Sequence, residues 1–225
     1  MFRRRLQPRR ALRELWGSRE IVVSLAQRDF LVRYKRALLG LLWAVFTPVA
    51  LMLVLTLLFD RVATVDTGGA PYALFVYLGL LPWTFFSTSL NQGSLSLETN
   101  RSLLNRVSFP REVFPLVSVG VAGVDMVVAA TVLAVLFPLY GFAPELTSLW
   151  VPVLLAIQVA FTVGVALLAS AVVVHARDVR HAVPILLQIG LFATPVAYGI
   201  EAVPDSVRLA YAVLNPLGPV IDGYR

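Results

Sequence analysis

Residues 37–59 run without a single charged side chain, and four further apolar stretches of similar length follow, at about residues 71–90, 113–140, 149–174 and 182–200. A bilayer core of roughly 30 Å takes about 20 apolar residues wound as a helix. Lipid offers the backbone no hydrogen bonds, so runs of this length and pattern have to satisfy their own by coiling. The expected fold class is an all-α integral membrane protein with five transmembrane helices. Composition agrees, with 58% hydrophobic and 14% charged residues in a chain of 225 and a mean hydropathy of +0.79, too apolar for an ordinary soluble domain. The first run is already span-length and has no small-residue cleavage site behind a short core. It reads as an uncleaved anchor rather than a secretory signal.

Other residue counts exclude whole classes of chemistry. The chain has no cysteine and only two histidines, His175 and His181, which leaves no thiolate framework and no usual zinc centre. Lys35 is the only lysine, and no GxxxxGK[ST] pattern precedes it. A phosphate-binding loop is therefore missing. The expectation is a non-enzyme that binds no cofactor or metal itself; if ATP is used, a separate partner subunit has to hold it with its Mg.

Arginine and lysine give the orientation. Of the 19 basic residues, 11 precede Ala37, Arg101, Arg106 and Arg111 share one short loop, and Arg177 and Arg180 share another, leaving only Arg61, Arg208 and Arg225 on the other side. By the positive-inside rule the N-terminus and those two loops are cytoplasmic, in a multi-pass protein of the cytoplasmic (inner) membrane. The same rule gives the dense N-terminal tract a plain cause in topology and attraction to anionic membrane lipids, so no nucleic acid partner is expected. The chain divides into a basic tail with an amphipathic helix over 1–36 and a transmembrane domain over 37–225. Within the helix, over residues 18–36, Val22, Val23, Ala26, Phe30, Tyr34 and Ala37 recur at helical spacing, as in an interfacial amphipathic helix. Asp29 and Arg33 have the i,i+4 spacing of a surface ion pair.

Residues 98–112, Glu-Thr-Asn-Arg-Ser-Leu-Leu-Asn-Arg-Val-Ser-Phe-Pro-Arg-Glu, form a charged island between apolar runs. Thr99 or Asn100 can cap a short helix there, Leu103, Leu104 and Val107 give it one apolar side, and Pro110 ends it. Inside the spans the notable polar residue is Asp125. A charge at mid-membrane costs roughly 2.5–3.5 kcal/mol, so this carboxyl is expected to be neutral, paired with a neighbouring helix, near the membrane edge, or facing an aqueous path. Ala160, Gly164, Ala166 and Ser170, with Gly120 and Gly123, permit close helix packing. The fifth run is irregular, with Pro184, Gly190, Pro195 and Gly199 inside it and three more prolines behind. Residues 201–219 then either lie outside or re-enter against protein or water. Trp83, Phe85, Phe86 and Tyr198 are aromatic candidates to line a conduit, beside their commoner use in interfacial belts.

Several of these stretches together carry a family resemblance. Arg28-Asp29-Phe30, Arg33-Tyr34-Lys35, Leu39-Gly40 and Leu42-Trp43 resemble the opening of permease subunits of type-2 ATP-binding-cassette exporters, especially those for O-antigen, capsule and teichoic-acid polymers. Gly79-Leu80-Leu81-Pro82-Trp83 with Phe85-Phe86 looks like that family's second span, and Asn105 with Phe109-Pro110-Arg111-Glu112 like its next loop. Arg177-Asp178-Val179-Arg180, Pro195-Val196-Ala197-Tyr198 and Leu214-Asn215-Pro216 follow in the expected order. The resemblance implies a permease half that pairs with itself as a homodimer and with two copies of a nucleotide-binding ATPase subunit, to export a lipid-linked polysaccharide. It also implies an ATPase-coupling helix drawn from Asn100, Arg101, Leu103, Leu104, Asn105, Arg106, Val107, Phe109, Pro110 and Arg111. A cytoplasmic entrance would be framed by Arg28, Asp29, Arg33, Tyr34, Arg177, Asp178 and Arg180, whose arginines can meet a diphosphate. Residues 201–219 would be the outward-facing gate, with a re-entrant segment. Such permeases usually carry a sixth span beyond that gate, so a truncated sequence is expected. An exporter of a small drug or lipid shares this architecture, whereas a membrane-embedded transferase or a passive anchor are readings of another class.

Overall fold

The computed structural model describes residues 17, 19–35, 40–59, 67–104, 110–142 and 146–225, and every regular element among them is helical. In chain order these are α1 (Arg19–Tyr34), α2 (Leu42–Phe59), α3 (Tyr72–Thr99), α4 (Arg101–Leu104), α5 (Val113–Ala130), α6 (Leu133–Tyr140), α7 (Val151–His175), α8 (Val179–Ala193), α9 (Asp205–Leu214) and α10 (Leu217–Asp222). Short 3-10 turns at Leu146–Trp150 and Ile200–Ala202 lead into α7 and follow α8. Four segments are long and apolar enough to cross a membrane: Leu42–Phe59, Tyr72–Thr99, Val113–Tyr140 and Leu146–His175.

The fifth apolar run is shorter than expected. Its helix, α8, has 15 residues, about 22 Å at 1.5 Å per residue, against the roughly 30 Å of a bilayer core. The cause is local. Thr194 precedes Pro195, and the proline ring pushes the residue before it out of the helical region; Thr194 accordingly sits at φ −98°, ψ 144°. The unwound stretch that follows is held by side chains from elsewhere. Tyr211 Oη donates to Ala193 O at 2.7 Å, Arg225 Nη2 to Val196 O at 2.6 Å, Tyr72 Oη to Ala197 O at 2.8 Å and Arg225 Nη1 to Tyr198 O at 2.9 Å.

Helix α3 is the axis of the bundle and packs against α2, α5, α7, α8 and α10. Its residues from Tyr72 to Trp83 are nearly all buried, and Val76, Tyr77 and Leu80 are wholly so. The helices around it bury one stripe each and expose large apolar side chains such as Leu57, Val127, Leu139 and Leu168 on the other side, as expected of surfaces that face lipid. The stripe of α7 is Gln158, Thr162, Ala166, Ser170 and Val173, small or polar residues three or four apart that let two backbones approach. At the crossing, a Cβ added to Gly93 would lie 3.1 Å from the Ala166 Cβ. Of the residues expected to permit such packing, Ala166 and Ser170 do so, and Gly123 would meet Phe85 at 3.9 Å, while Gly120 and Gly164 have no such neighbour within 4 Å and Ala160 is exposed.

Helix α1 packs one side along α5. Val22, Leu25, Ala26 and Phe30 pack against Val113, Phe114, Val117 and Val121 of α5, and Leu103 and Leu104 join the same cluster. Val23, expected on the apolar stripe, is instead 54% exposed, together with Leu31 and Val32. A helix with apolar residues on two sides can bury one against protein and keep the other for lipid.

The α3–α7 crossing is testable with one substitution. Gly93→Val overfills a contact that has no slack and is expected to cost about 1–3 kcal/mol, read as a lower thermal midpoint of the purified protein in detergent. Gly120→Val, in open space, is expected to leave the midpoint nearly unchanged.

Candidate functional site

Asp125 lies twelve residues into α5, about 18 Å along the helix from its start. An unpaired carboxylate there would be costly. The structure pairs it with α1: Arg33 Nη1 donates to Asp125 Oδ2 at 2.5 Å and Tyr34 Oη to Asp125 Oδ1 at 2.5 Å. Arg33 Nη2 also donates to Gln92 Oε1 of α3. One guanidinium thus ties three helices together. Both charged side chains are largely covered, 25% exposed for Arg33 and 17% for Asp125. Burial, and next the hydrogen bond to Asp125, raise the Tyr34 pKa above the ordinary phenol value, which keeps the proton on Tyr34 as the donor.

This geometry corrects one expectation. Asp29 pairs with the adjacent Arg28 at 2.8 Å rather than with Arg33. Arg33 turns inward, where a partly buried carboxylate gives it more than a surface neighbour can.

Around the cluster lies a cavity of about 380 Å³, lined among others by Arg33, Tyr34, Trp43, Trp83, Thr84, Phe85, Ser87, Thr88 and Asp125. Two entrance candidates, Arg33 and Tyr34, and three conduit candidates, Trp83, Phe85 and Asp125, therefore share one site. Phe85 is buried among Val119, Ala122 and Ala166 and closes one wall. Phe86 points elsewhere; it stacks on Phe161 with centroids 5.9 Å apart and lines a second, more apolar cavity of about 370 Å³ beside α8 and the α9–α10 joint. Trp83 borders both cavities and is seated over Gly190, where an added Cβ would stand 2.8 Å from its Cη2. Tyr198 lies away from both, donating to Phe192 O at 3.1 Å.

The remaining candidates gather at one end of the bundle. Arg28 Nη2 donates to Asn100 Oδ1 at 2.7 Å, joining α1 to the C-terminus of α3. The Asn100 side chain is thereby engaged with Arg28 and, through Nδ2, with Ser96 O at 3.0 Å, rather than capping α4. Arg180 Nη1 reaches Glu98 Oε1 at 3.3 Å, and its Nε donates to His181 Nε2 at 3.0 Å. Arg177 and Asp178 are exposed in the turn before α8. The expected coupling segment opens with a single helical turn, α4, in which Arg101 is exposed and Leu103 and Leu104 are half-buried; Pro110 and Arg111 follow later. Asn105, Arg106, Val107 and Phe109 lie outside the described residues.

Two polar residues of the spans were missed by sequence reasoning. Gln92 anchors Arg33. Gln158, fully buried in α7, donates from Nε2 to Pro82 O at 2.7 Å and accepts from Tyr224 Oη at 2.9 Å. Their signal is the same as that of Asp125, a polar side chain in an apolar run.

Residues 20–225 match the model of the ABC-2 type transporter family. The chain belongs to that family. It is 36% identical over 217 residues to the O-antigen export system permease protein RfbA of Myxococcus xanthus, an alignment covering 96% of this chain and 83% of that protein. It is 29% identical over 207 residues to an RfbA of Klebsiella pneumoniae, covering 92% and 79%. Identity to the polysialic acid transport protein KpsM of Escherichia coli is 24% over 206 residues, covering 89% and 78%. This ABC-2 type transporter chain is a multi-pass membrane permease component and not the ATPase, which implies an ATPase partner.

The Arg33–Asp125 pair makes a measurable claim about this ABC-2 permease. Arg33→Ala and Asp125→Ala each leave a charge without its partner, so the double variant is expected to lose less stability than the two single losses added together. The difference should be roughly 1–3 kcal/mol in a double-mutant cycle of unfolding in detergent. Simple additivity would mean that the two side chains do not interact.

Proposed function

We propose that this chain is the permease half of an ATP-driven exporter that moves a lipid-linked polysaccharide, of O-antigen, capsule or teichoic-acid type, out across the cytoplasmic membrane. The observation that carries the reading is the 36% identity to an O-antigen export permease across 96% of the chain. Identity to a polysialic acid transport protein supports a glycan cargo rather than a small drug. In this reading two copies of the chain work with two copies of the ATPase, and the N-terminus lies in the cytoplasm.

The mechanism uses residues that meet at one end of the bundle. ATP-driven closure of the partner subunits pushes on the segment from Asn100 to Phe109. Two links take that push to α1, the Arg28–Asn100 hydrogen bond and the apolar cluster that Leu103 and Leu104 share with Leu25 and Phe30. A third, Arg180 to Glu98, takes it to the start of α8. Helix α8 together with the unwound stretch 194–198 serves as a fifth span, and residues 201–219 form the outward gate, hinged where the chain unwinds behind Ala193. The entrance is framed by α1 and the Arg177–Arg180 turn.

Two measurements test this. Deleting the gene is expected to abolish the surface polymer while the lipid-linked precursor accumulates inside; a normal surface coat would overturn the export reading. Arg101→Glu combined with Arg106→Glu is expected to remove the ATPase from a pull-down while membrane insertion stays intact. Undiminished co-purification would overturn the coupling assignment alone.

A further inference from the structure

The cavity beside Arg33 lies between helices of one chain, and its chemistry is unlike that of an anion site. We propose that it is a subsite for a neutral, hydroxyl-rich sugar ring of the exported chain, and that the diphosphate of the lipid carrier is held elsewhere. The proposal rests on the polysaccharide reading above and adds where, and by what chemistry, the sugar is recognised.

Charge is the first argument. Among the described residues Arg33 is the cavity's cation, and Asp125 cancels it at 2.5 Å. A phosphate entering here would meet a carboxylate already holding the guanidinium, and like charges at this range repel. Arg177 is exposed, and Arg28 and Arg180, although paired with Asp29 and Glu98, keep 44% and 43% of their side chains exposed, so water screens those pairs and a stronger anion can displace them. These guanidinium groups at the end of the bundle are better placed for a diphosphate.

Hydrogen-bond direction is the second. Four hydroxyl protons at the cavity are engaged within the protein: Tyr34 donates to Asp125, Thr84 to Leu80 O at 2.8 Å, Ser87 to Thr84 O at 3.2 Å and Thr47 to Trp43 O at 3.1 Å. Hydroxyl and carboxylate oxygens retain lone pairs after such bonds. The lining therefore offers these oxygens as acceptors beside the indole N–H donors of Trp43 and Trp83 and the hydroxyl of Thr88, a mixture that suits sugar hydroxyls, which both donate and accept.

Shape is the third. Trp43, Trp83 and Phe85 supply flat apolar walls, suited to the C–H faces of a sugar ring. A volume of about 380 Å³ falls near the lower end of small-molecule sites, roughly 300–1,000 Å³. Trp43 is 48% exposed and stands at the rim, while Trp83 is 5% exposed inside.

The test is photocrosslinking in cells that make the glycan. p-Benzoylphenylalanine replaces Thr88, inside the cavity, or in a second variant Trp43, at its rim; the reference position is Leu149, which is 76% exposed and outside the cavity. Irradiation is expected to give a glycan-bearing adduct at 88 and 43 and none at 149. Cells blocked before the first sugar is added to the carrier should give none at any position. Thr88→Val is expected to slow export roughly two- to tenfold, the worth of a lost hydroxyl contact, at unchanged abundance. No adduct at either cavity position while export proceeds would overturn the subsite, as would equal capture of the sugar-free diphosphate carrier. Export that survives deletion of the gene would instead overturn the polysaccharide reading, and the subsite with it.

Discussion

Carbonyl oxygens released from helical pairing inside the bundle must find a donor in the protein, because lipid supplies none. The region around Pro195 shows how far this constraint shapes the molecule. The proline ends α8 early, and Ala193, Val196, Ala197 and Tyr198 then take hydrogen bonds from Tyr211, Arg225 and Tyr72. Those donors come from α9, from beyond α10 and from the start of α3, so the break in one helix fixes the packing of three other segments. A milder version occurs where α5 gives way to α6. Val132 N–H bonds Ala129 O through a tightened turn, and Tyr77 Oη adds a second bond to the same oxygen at 2.7 Å. At Pro82 the extra donor is Gln158. Phenols and amides serve well here, since each reaches across a helix pair with an apolar body and a single polar tip.

The same logic applied to charge explains α1. An amphipathic helix held only by the membrane surface would need no ion pair with a distant span. Asp125 changes that, because its burial is tolerable only with a partner, and Arg33 and Tyr34 supply the partners from the end of α1. The carboxylate therefore holds the last turn of α1 against α5. Apolar contacts between Phe30, Leu25 and α5 hold the rest of the helix along the same line.

Much of this was legible from residue order, and the remainder was not for definite reasons. Apolar run length located the four long segments because bilayer thickness and helix rise are fixed quantities. The need for Asp125 to be paired, placed at the edge or hydrated followed from desolvation cost. Its partner did not, since Arg33 is 92 residues away and spacing carries no information across such a gap. The fifth run was read as longer than α8 because hydropathy is blind to backbone geometry: Thr194 to Tyr198 is buried or half-buried, yet unwound. Helical spacing grouped Val22 with Val23, although successive residues on a helix lie about 100° apart, so only Val22 reaches α5. Among the cavity residues, the aromatic and charged members stood out, while Thr84 and Thr88 looked like ordinary span residues.

Helix α1 is bound at two levels, and this gives the proposed transport cycle a mechanical form. At the bundle end Arg28 holds Asn100, where the ATPase push would arrive; one and a half turns further along, Arg33 holds Asp125 at the cavity. A helix is stiff over that distance, so displacement at Asn100 cannot be absorbed between the two attachments. It must be borne either by the exposed Arg28 contact or by the covered Arg33 pair. The exposed contact is the weaker, because water competes for both partners. If it yielded alone, the push would end at the surface. The apolar cluster of Leu103, Leu104, Leu25 and Phe30 would prevent that, since it links the proposed coupling segment to α1 by packing that does not depend on charge. In the proposed cycle strain would therefore pass to the Arg33–Asp125 pair, the point at which α1 meets the cavity wall.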